Sequence, residues 1–405
     1  MNAEYDIAII GGGPVGAALA LALRDSRLKV CVLEARPAGV TSQDARALAL
    51  SYGSRLLLDR LGIWDALRDV SAIRTIHISQ KQSFGRAVLR AAELNVPELG
   101  YVLPYPALQD ALTDALQHSG VAPIYGASVT TLTSETDHAV ISYQQDGVEH
   151  TLHTRLAAVA DGGKLMAQQF PPKLRDYGQS ALITHITCSA PLHTSAQGGR
   201  RGVPGTSGST LAQTAFERFT PQGPLALLPF KNGYELVWTA PHQTAQDMLS
   251  WDDAKFLDEL HQHFGDRVGE FLTVSKRTCF PLGLRRAPQQ TPMPHVVLLG
   301  NAAQTLHPVA GQGFNMGLRD AWELSQKILD AKPEELGTEK MLTAYRSDRR
   351  TDREAGIRFT DGLVRLFSND LPLVSAGRAA TLTALDCLPF AKGFVAKRMM
   401  FGANG

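Results

Sequence analysis

The chain has 405 residues, 44% of them hydrophobic and 20% charged, which is too long for one ordinary core, so two adjacent or interleaved domains are expected. A formal net charge of +1 implies no long basic face and argues against nucleic acid as a partner. Four scattered cysteines, Cys31, Cys188, Cys279 and Cys387, form no C-x-x-C pair, which argues against a metal or dithiol centre and for free thiols in a reducing compartment.

Only Met1 to Glu4 precede the first strand, leaving no room for a signal peptide, and no run of 18 apolar residues occurs. A soluble cytoplasmic protein is expected, with a peripheral contact at the inner face of a membrane left open. Tyr5–Ile10 reads as a buried strand, Ala17–Arg24 as a helix and Lys29–Leu33 as a second strand ending in Glu34. Between the first two lies Gly11-Gly12-Gly13-Pro14-Val15-Gly16, a G-x-G-x-x-G turn inside a complete βαβ unit. Gly11 permits the tight turn, Gly13 lets a pyrophosphate approach, and Gly16 lets helix and strand pack closely. Glu34, followed by Ala35, stands where a carboxylate takes both hydroxyls of an adenosine ribose and disfavours a 2′-phosphate.

Asp44 to Leu50 is expected to open a helix running toward Leu61, with Arg46 near its start as a phosphate or ribityl clamp or a solvated cation. Ile73–Ile78 and Arg86–Leu89 read as strands of a different sheet, and Leu108, Leu112, Ala115 and Leu116 mark a helix. Gly126–Leu132, Ala139–Tyr143 and Glu149–Thr154 look like a small antiparallel excursion before the buried strand Leu156–Ala160 and the turn Asp161-Gly162-Gly163. Farther on, Gln179–Ser189 alternates, and Ala190–Ser209 is a Gly/Ser/Pro-rich loop. Ala215–Phe219, Pro224–Phe230 and Tyr234–Ala240 read as strands, the last two joined at Asn232-Gly233. Ala254–Phe264 is helical and Val274–Leu282 a strand. Val296–Leu299 is a buried strand, Gly300 breaks it, and helical spacing resumes from Asn315, so a second glycine-rich turn opens a helix N-terminus. Met341–Phe367 shows long helical periodicity.

Three turns suited to a dinucleotide, at Gly11–Gly16, Asp161-Gly162 and Gly300–Asn315, are spread along the chain, as one extended FAD requires. With Asp44-x-Arg46-Ala-x-Ala-Leu50 and Gly300-Asn-Ala-Ala-Gln-Thr-Leu-His-Pro308 followed by Gly311-Gln-Gly-Phe-Asn-Met-Gly317, these motifs resemble the class A flavoprotein aromatic hydroxylases of the p-hydroxybenzoate hydroxylase fold. Within that class the chain is most similar to the ubiquinone-biosynthesis hydroxylases, and Phe216-Glu-Arg-Phe-Thr-x-x-Gly-Pro-Leu-Ala-x-Leu-Pro229 is similar to their 2-polyprenyl-6-methoxyphenol hydroxylase branch.

The resemblance implies an α/β fold: a Rossmann-like FAD-binding domain (1–72, 100–175, 276–340), an interleaved antiparallel-sheet substrate domain (73–99, 176–275) and a C-terminal helical region (341–405). It implies FAD held by Gly11 to Gly16, Glu34, Ala35 and Arg46, with adenine on the Val129 backbone and Asp161-Gly162 serving both FAD and NADH or NADPH. Gly300 and Asn301 would meet the ribityl chain, and Pro308, Gly311, Gln312, Gly313, Phe314 and Asn315 the flavin ring. It also implies hydroxylation of a polyprenyl phenol by O2 through a flavin C4a-hydroperoxide, with a ubiquinone-biosynthesis complex as partner. No metal is implied, and no catalytic base is named.

Three positions depart from the class: Asn301 replaces an Asp, Gly163-Lys164-Leu165-Met166-Ala167 replaces a run with Ser and Arg, and Tyr105 replaces an Arg. The segment Ser195–Ser209 is longer than the branch needs. His307, beside the flavin turn, reads as a structural histidine fixing Leu-His-Pro rather than a catalytic one. Phe216, Phe219, Leu225, Leu227, Phe230 and Trp238 are expected to line an apolar pocket or fill the core, and the tail Phe390–Phe401, with three cations, to touch a membrane or pack as a helix. No Trp-x-Trp-x-Ile segment of the flavin-dependent halogenases is present. A catalytically impaired scaffolding paralogue and a hydroxylase of another aromatic substrate remain alternatives.

Overall fold

A computed structural model of the protein describes residues 3–404 except 41–43, 45, 82, 190–210 and 368–371. β1 (Tyr5–Ile10), α1 (Pro14–Ala22) and β2 (Val30–Glu34) form the expected βαβ unit, both strands parallel with Ile7 opposite Val30. β3 (Ala47–Ser51) leads into α2 (Tyr52–Arg60), followed by β4 (Ser71–Ile73), β5 (Thr75–Gln80), β6 (Arg86–Arg90) and β7 (Gly100–Pro104). Then come α3 (Tyr105–Gln117), β8 (Ala122–Tyr125), β9 (Ser128–Ser134), β10 (Ala139–Gln145) and β11 (Val148–Val159). β12 (Lys173–Cys188), β13 (Thr214–Thr220), β14 (Gly223–Phe230) and β15 (Gly233–Pro241) precede α4 (His242–Ser250) and α5 (Asp253–Phe264). The chain ends with β16 (Phe271–Val274), β17 (Thr278–Arg286), β18 (Val296–Leu298), β19 (Gln304–Thr305), α6 (Gln312–Asp330), α7 (Glu339–Phe367), α8 (Pro372–Cys387) and α9 (Pro389–Phe401).

Seven strands make the first sheet, in the order β8-β2-β1-β11-β10-β9 with β18 also on β11. Alternation along β1 decides what each side chain joins. Ile7 and Ile9 enter a core with α1, α3 and α6, while Ala8 and Ile10 enter a second core with Leu132, Ile141 and Leu152 of the antiparallel strands. Each isoleucine or leucine side chain so buried contributes about 1.5–3 kcal/mol. The last strand of the antiparallel excursion, Glu149–Thr154, and the buried strand expected after it are one continuous strand, β11, which pairs with β10 at one end and β1 at the other.

The second sheet, of nine strands, runs β19-β17-β12-β15-β14-β13-β5-β6 with β16 also on β12, so it draws strands from four separate parts of the chain. α4 and α5 cover one face through Leu182, Leu225, Leu227, Leu236 and Trp238. The opposite face looks toward the first sheet and forms a wall of the cavity described below.

Three local expectations are corrected. Ala47–Ser51 is not helical: it pairs with β7, Ala47 opposite Pro104 and Ser51 opposite Gly100, and the helix starts only at Tyr52. Ala and Leu favour helices intrinsically, but this partner strand decides the conformation. The β14–β15 hairpin turns at Lys231-Asn232, with Lys231 at φ +50°, and Gly233 is already paired with Phe230. Val274–Leu282 is split into β16 and β17. The expectations for Ala190–Ser209 lie outside the described residues.

Candidate functional site

One cavity of about 1430 Å³ runs from the first glycine turn, past the start of α6, to the open face of the nine-stranded sheet. At its first end the glycines have separate roles. Gly11 is at φ +103°, and a Cβ there would lie 2.8 Å from Ala160 O. A Cβ on Gly16 would lie 2.0 Å from Gly11 O, so α1 approaches β1 only because that atom is missing. Gly13 is different: a Cβ there meets nothing within 4 Å, because the position opens onto the cavity at the N-terminus of α1. An open backbone at a helix start with no acidic residue in its first turn fits an anionic pyrophosphate.

Glu34 lines the same end. One carboxylate oxygen accepts from Gly12 N at 2.6 Å and the other from Arg36 N at 2.9 Å and Arg36 Nε at 2.8 Å. Burial alone pushes this acid up, but the Arg36 bonds and charge and the Gly12 N–H outweigh it, so its pKa falls below the usual range. It is therefore held ionised, with lone pairs remaining for ribose hydroxyls.

Asp161 spends its side chain locally, accepting from Gly163 N and Leu165 N, both at 2.7 Å. Beside it Arg285 of β17 donates to Gly162 O at 2.8 Å and also to Gly163 O. A guanidinium thus stands at the segment where the class carries an arginine in sequence, delivered here from another strand. A Cβ on Gly163 would collide with that guanidinium.

Arg46 lies just before β3, not at a helix start. Arg46 lines the cavity, and its guanidinium pairs with Asp44, Nε to Oδ1 at 2.8 Å, and sits 5.5 Å from the Phe280 ring centroid. Tyr105, the residue standing for an arginine, lines the cavity near it.

At the second turn Gly300, Asn301, Pro308, Gly311, Gln312, Gly313, Phe314 and Asn315 all line the cavity. Gly311, at φ +60°, caps α6, whose first turn contains no acid. Asn315 lends its side chain to scaffolding: Oδ1 accepts from Ser51 N at 2.8 Å and Ser54 Oγ at 2.7 Å, and Nδ2 donates to Ala49 O and Gly311 O. His307 is 1% exposed, its Nδ1 accepts from Val309 N at 3.2 Å, and burial pushes its pKa down to about 4. A neutral imidazole holding its own turn matches the structural role expected of it.

Of the expected site residues, Gly11, Gly13, Pro14, Val15, Ala35, Val129 and Gly162 also line the cavity, whereas Gly12 and Gly16 act from behind it. Two residues that sequence reasoning missed support the second turn. Asp320, fully buried, accepts from Gly300 N at 3.2 Å and Gln304 Nε2 at 3.1 Å and pairs with Arg349 Nε at 2.9 Å. Arg349 also reaches Asp352, which in turn holds Arg319 and Ala403 N. Such a network fixes the turn to α7 and the C-terminus.

The apolar arm divides the residues expected to line a pocket or fill the core. Phe216 and Phe219 line it, but Leu225, Leu227 and Trp238 point into the core beneath α5, and Phe230 packs with Ile73 and Val102. The lining falls instead to Ala226, Leu228 and Val237, one residue out of phase, with Leu363, Leu382 and Met399 from the C-terminal helices.

The FAD binding domain family matches residues 4–360. Ubiquinone hydroxylase UbiL of Rhodospirillum rubrum is 31% identical, covering 94% of this chain and 86% of its own. The 3-demethoxyubiquinol 3-hydroxylase of Escherichia coli is 32% identical, covering 95% of each. Among solved structures, p-nitrophenol 4-monooxygenase of Pseudomonas putida DLL-E4 superposes over the full length of both chains with a TM-score of 0.73 at 17% identity, which shows a shared fold.

Proposed function

This chain belongs to the FAD binding domain family, and on that premise we propose that it is an FAD-dependent monooxygenase that hydroxylates the aromatic ring of a polyprenylated phenol in ubiquinone biosynthesis. The carrying observation is the continuity of the cavity: a polar cradle with an open glycine turn at one end leads into an apolar chamber at the other. The curated relatives named for ubiquinone hydroxylation supply the substrate class.

Gly11 to Gly16 and Glu34 would hold the ADP half of FAD, Val129 the adenine, Arg46 and Asn301 the middle, and Pro308 to Asn315 the ring. When bound, FAD accepts reducing equivalents from NADH or NADPH and activates O2 for transfer to the ring. The chain supplies orientation and exclusion of water. The α6 N-terminus would turn its partial positive charge toward the ring end of the cofactor, and the apolar walls would keep bulk water from the reacting centre. Asn301 offers hydrogen bonds in place of a charge, and the Arg285 guanidinium serves the Asp161-Gly162 segment on behalf of the departed arginine.

A lipid-bearing substrate also gives a reason for peripheral membrane contact by α9. Phe390 is 88% exposed and Phe394 53% exposed beside Lys397 and Arg398. No single described helix is long and apolar enough to cross a membrane. Association with other ubiquinone-biosynthesis proteins belongs to the same reading.

The test is complementation of hydroxylase-deficient cells with quinone intermediates quantified. Restored ubiquinone and a yellow purified protein are expected. Purified protein that carries no flavin and takes none up would overturn the proposal.

A further inference from the structure

Three described carboxylates line the cavity: Glu34, Asp161 and Glu217. The first two sit at the glycine-turn end, and both are engaged by backbone N–H groups. Glu217 is different: among the described residues no hydrogen bond or ion pair reaches it. It lies in the middle of β13, paired with Ile78 of β5 and Ala226 of β14. On its face of the sheet Ile78 and Ala226 lie directly beside it and Ala215 and Phe219 along the strand, while the polar groups of that face are Gln80 of β5, Thr239 of β15 and, two strands away, Glu235, which is paired with His185.

Among the charged groups around it, His77 and Arg218 belong to the opposite face by strand alternation, and Arg218 donates to Ser79 Oγ. From the facing helix α8, Arg378 lines the cavity and gives Nη1 to Leu366 O at 2.6 Å. Facing α7 contributes Phe359 and Leu363 to the lining. Phe219, two residues along and about 7 Å away, packs in one cluster with Val309 of the flavin turn. The acid therefore stands in the apolar arm within a substrate's length of where the ring of FAD would lie.

We propose that Glu217 is the proton acceptor for the phenolic hydroxyl of the substrate. The assignment rests on reading the chain as a phenol hydroxylase. The phenol O–H bond breaks, the proton passes to a Glu217 oxygen, and the electron pair stays on the phenolic oxygen, raising electron density at the ortho and para ring carbons. One oxygen atom of O2 is then delivered to such a carbon and the other leaves as water, with NADH or NADPH as the two-electron reductant as in the parent reaction. The dienone so formed loses its ring C–H proton to water, the C–H electron pair restores the aromatic ring, and Glu217 returns its proton to the phenolic oxygen. Burial suits the acid to this task by pushing its pKa up to about 7, which narrows the gap to a phenol near 10 and makes the carboxylate a better base.

The experiment compares the FAD-loaded wild type, Glu217→Gln and Glu217→Asp with a short-chain 2-prenylphenol. For wild type, kcat/KM rises with pH around a midpoint near 7. Glu217→Gln loses that limb and roughly 10²–10⁴-fold in kcat, with KM, flavin content and melting temperature little changed, and Glu217→Asp keeps a weaker limb. A ring-fluorinated, more acidic prenylphenol narrows the Gln deficit. Independently of turnover, the wild-type-minus-Gln infrared difference spectrum shows a carboxylic acid band that titrates in the same pH range. If wild type is active and Glu217→Gln keeps its rate and limb, this proposal alone is overturned. A wild type inert toward the prenylphenol overturns the substrate reading and this proposal with it.

Discussion

The side-chain oxygen of Asn315 lies 2.8 Å from the backbone nitrogen of Ser51, 264 residues earlier in the chain. With its further bonds to Ser54, Ala49 and Gly311, the amide uses both lone-pair directions and both N–H groups. It thereby fixes the start of α6 against β3 and α2. Asn315→Ala leaves Ser51 N–H and the two carbonyls without this partner, and a loss of at least about 2 kcal/mol is expected. Asn315→Asp keeps the two accepted bonds but turns an oxygen toward Ala49 O and Gly311 O. Urea denaturation and flavin content check this: both variants should melt earlier and retain less FAD, and two unaffected variants would remove Asn315 from the scaffold.

Asp320 and Arg349 form a pair that is essentially fully buried, 0% and 1% exposed at the side chain. Removing one partner strands a charge, so Arg349→Met is expected to cost about 3–5 kcal/mol. Because Asp320 also receives Gly300 N–H, the loss should appear in FAD affinity as well as in stability. The double variant Asp320→Leu/Arg349→Met should recover part of the stability but not the affinity. A double-mutant cycle with no coupling energy would show that the pair is not a unit.

How much of this was legible in the sequence depends on whether the cause was local. Gly11, Gly13, Gly16 and Glu34 were readable because a βαβ unit fixes their geometry within thirty residues. Ala47–Ser51 misled, since its strand is imposed by β7, about fifty residues on. Period-two alternation identified β13 to β15, but it carries no information on which phase meets the cavity. Hence it left open whether Leu225 and Trp238 line the pocket or fill the core, and Ala226 and Val237 stand at the lining instead. Asp320 is one acid among many on helices until Gly300 and Arg349 surround it. Glu217 is one charged residue beside another, Arg218, in β13, and only the register of three strands shows where it points.

Gly13 and Gly16 provide a contrast inside one motif. Gly13→Val places its side chain in open cavity, so the fold should survive with a nearly unchanged melting temperature while flavin is lost. Gly16→Val forces contact with Gly11 O and should reduce soluble, folded protein. Absorbance of bound flavin and circular dichroism separate the two. Equal flavin content in Gly13→Val and wild type would refute the placement of the pyrophosphate.

His307 makes stability depend on pH. Its pKa is about 4 when folded against 6.5 when exposed, so between these values the unfolded chain binds more protons. Stability is fully present above about 6.5, falls as pH drops toward 4, and then levels off, a span of about 3 kcal/mol. His263 is pushed the same way, to about 4, and shares the acid limb. His307→Asn keeps an acceptor for Val309 N–H without a titrating ring. That variant should show a shallower loss of stability from pH 6.5 to 4 and near wild-type hydroxylation at neutral pH. A large neutral-pH loss with normal flavin content would instead assign the imidazole to the chemistry.

Removing α9 to test membrane contact would confuse two roles, since Met400 O accepts from Ser51 Oγ and Met399 O from Gln312. Ala396 and Met400 are buried in the same helix, so truncation would disturb the scaffold of the second glycine turn. Phe390 and Phe394 project outward instead, 88% and 53% exposed, the second under Arg398 at 5.2 Å. Apolar area beside cations favours anionic lipid by partial insertion plus surface attraction. Phe390→Ser/Phe394→Ser should therefore lower co-sedimentation with anionic phospholipid vesicles several-fold while flavin content and melting temperature stay unchanged. Raising salt should weaken the wild-type binding further, through screening of the Lys397 and Arg398 charges. Equal sedimentation of wild type and double variant would reject this face as the lipid contact.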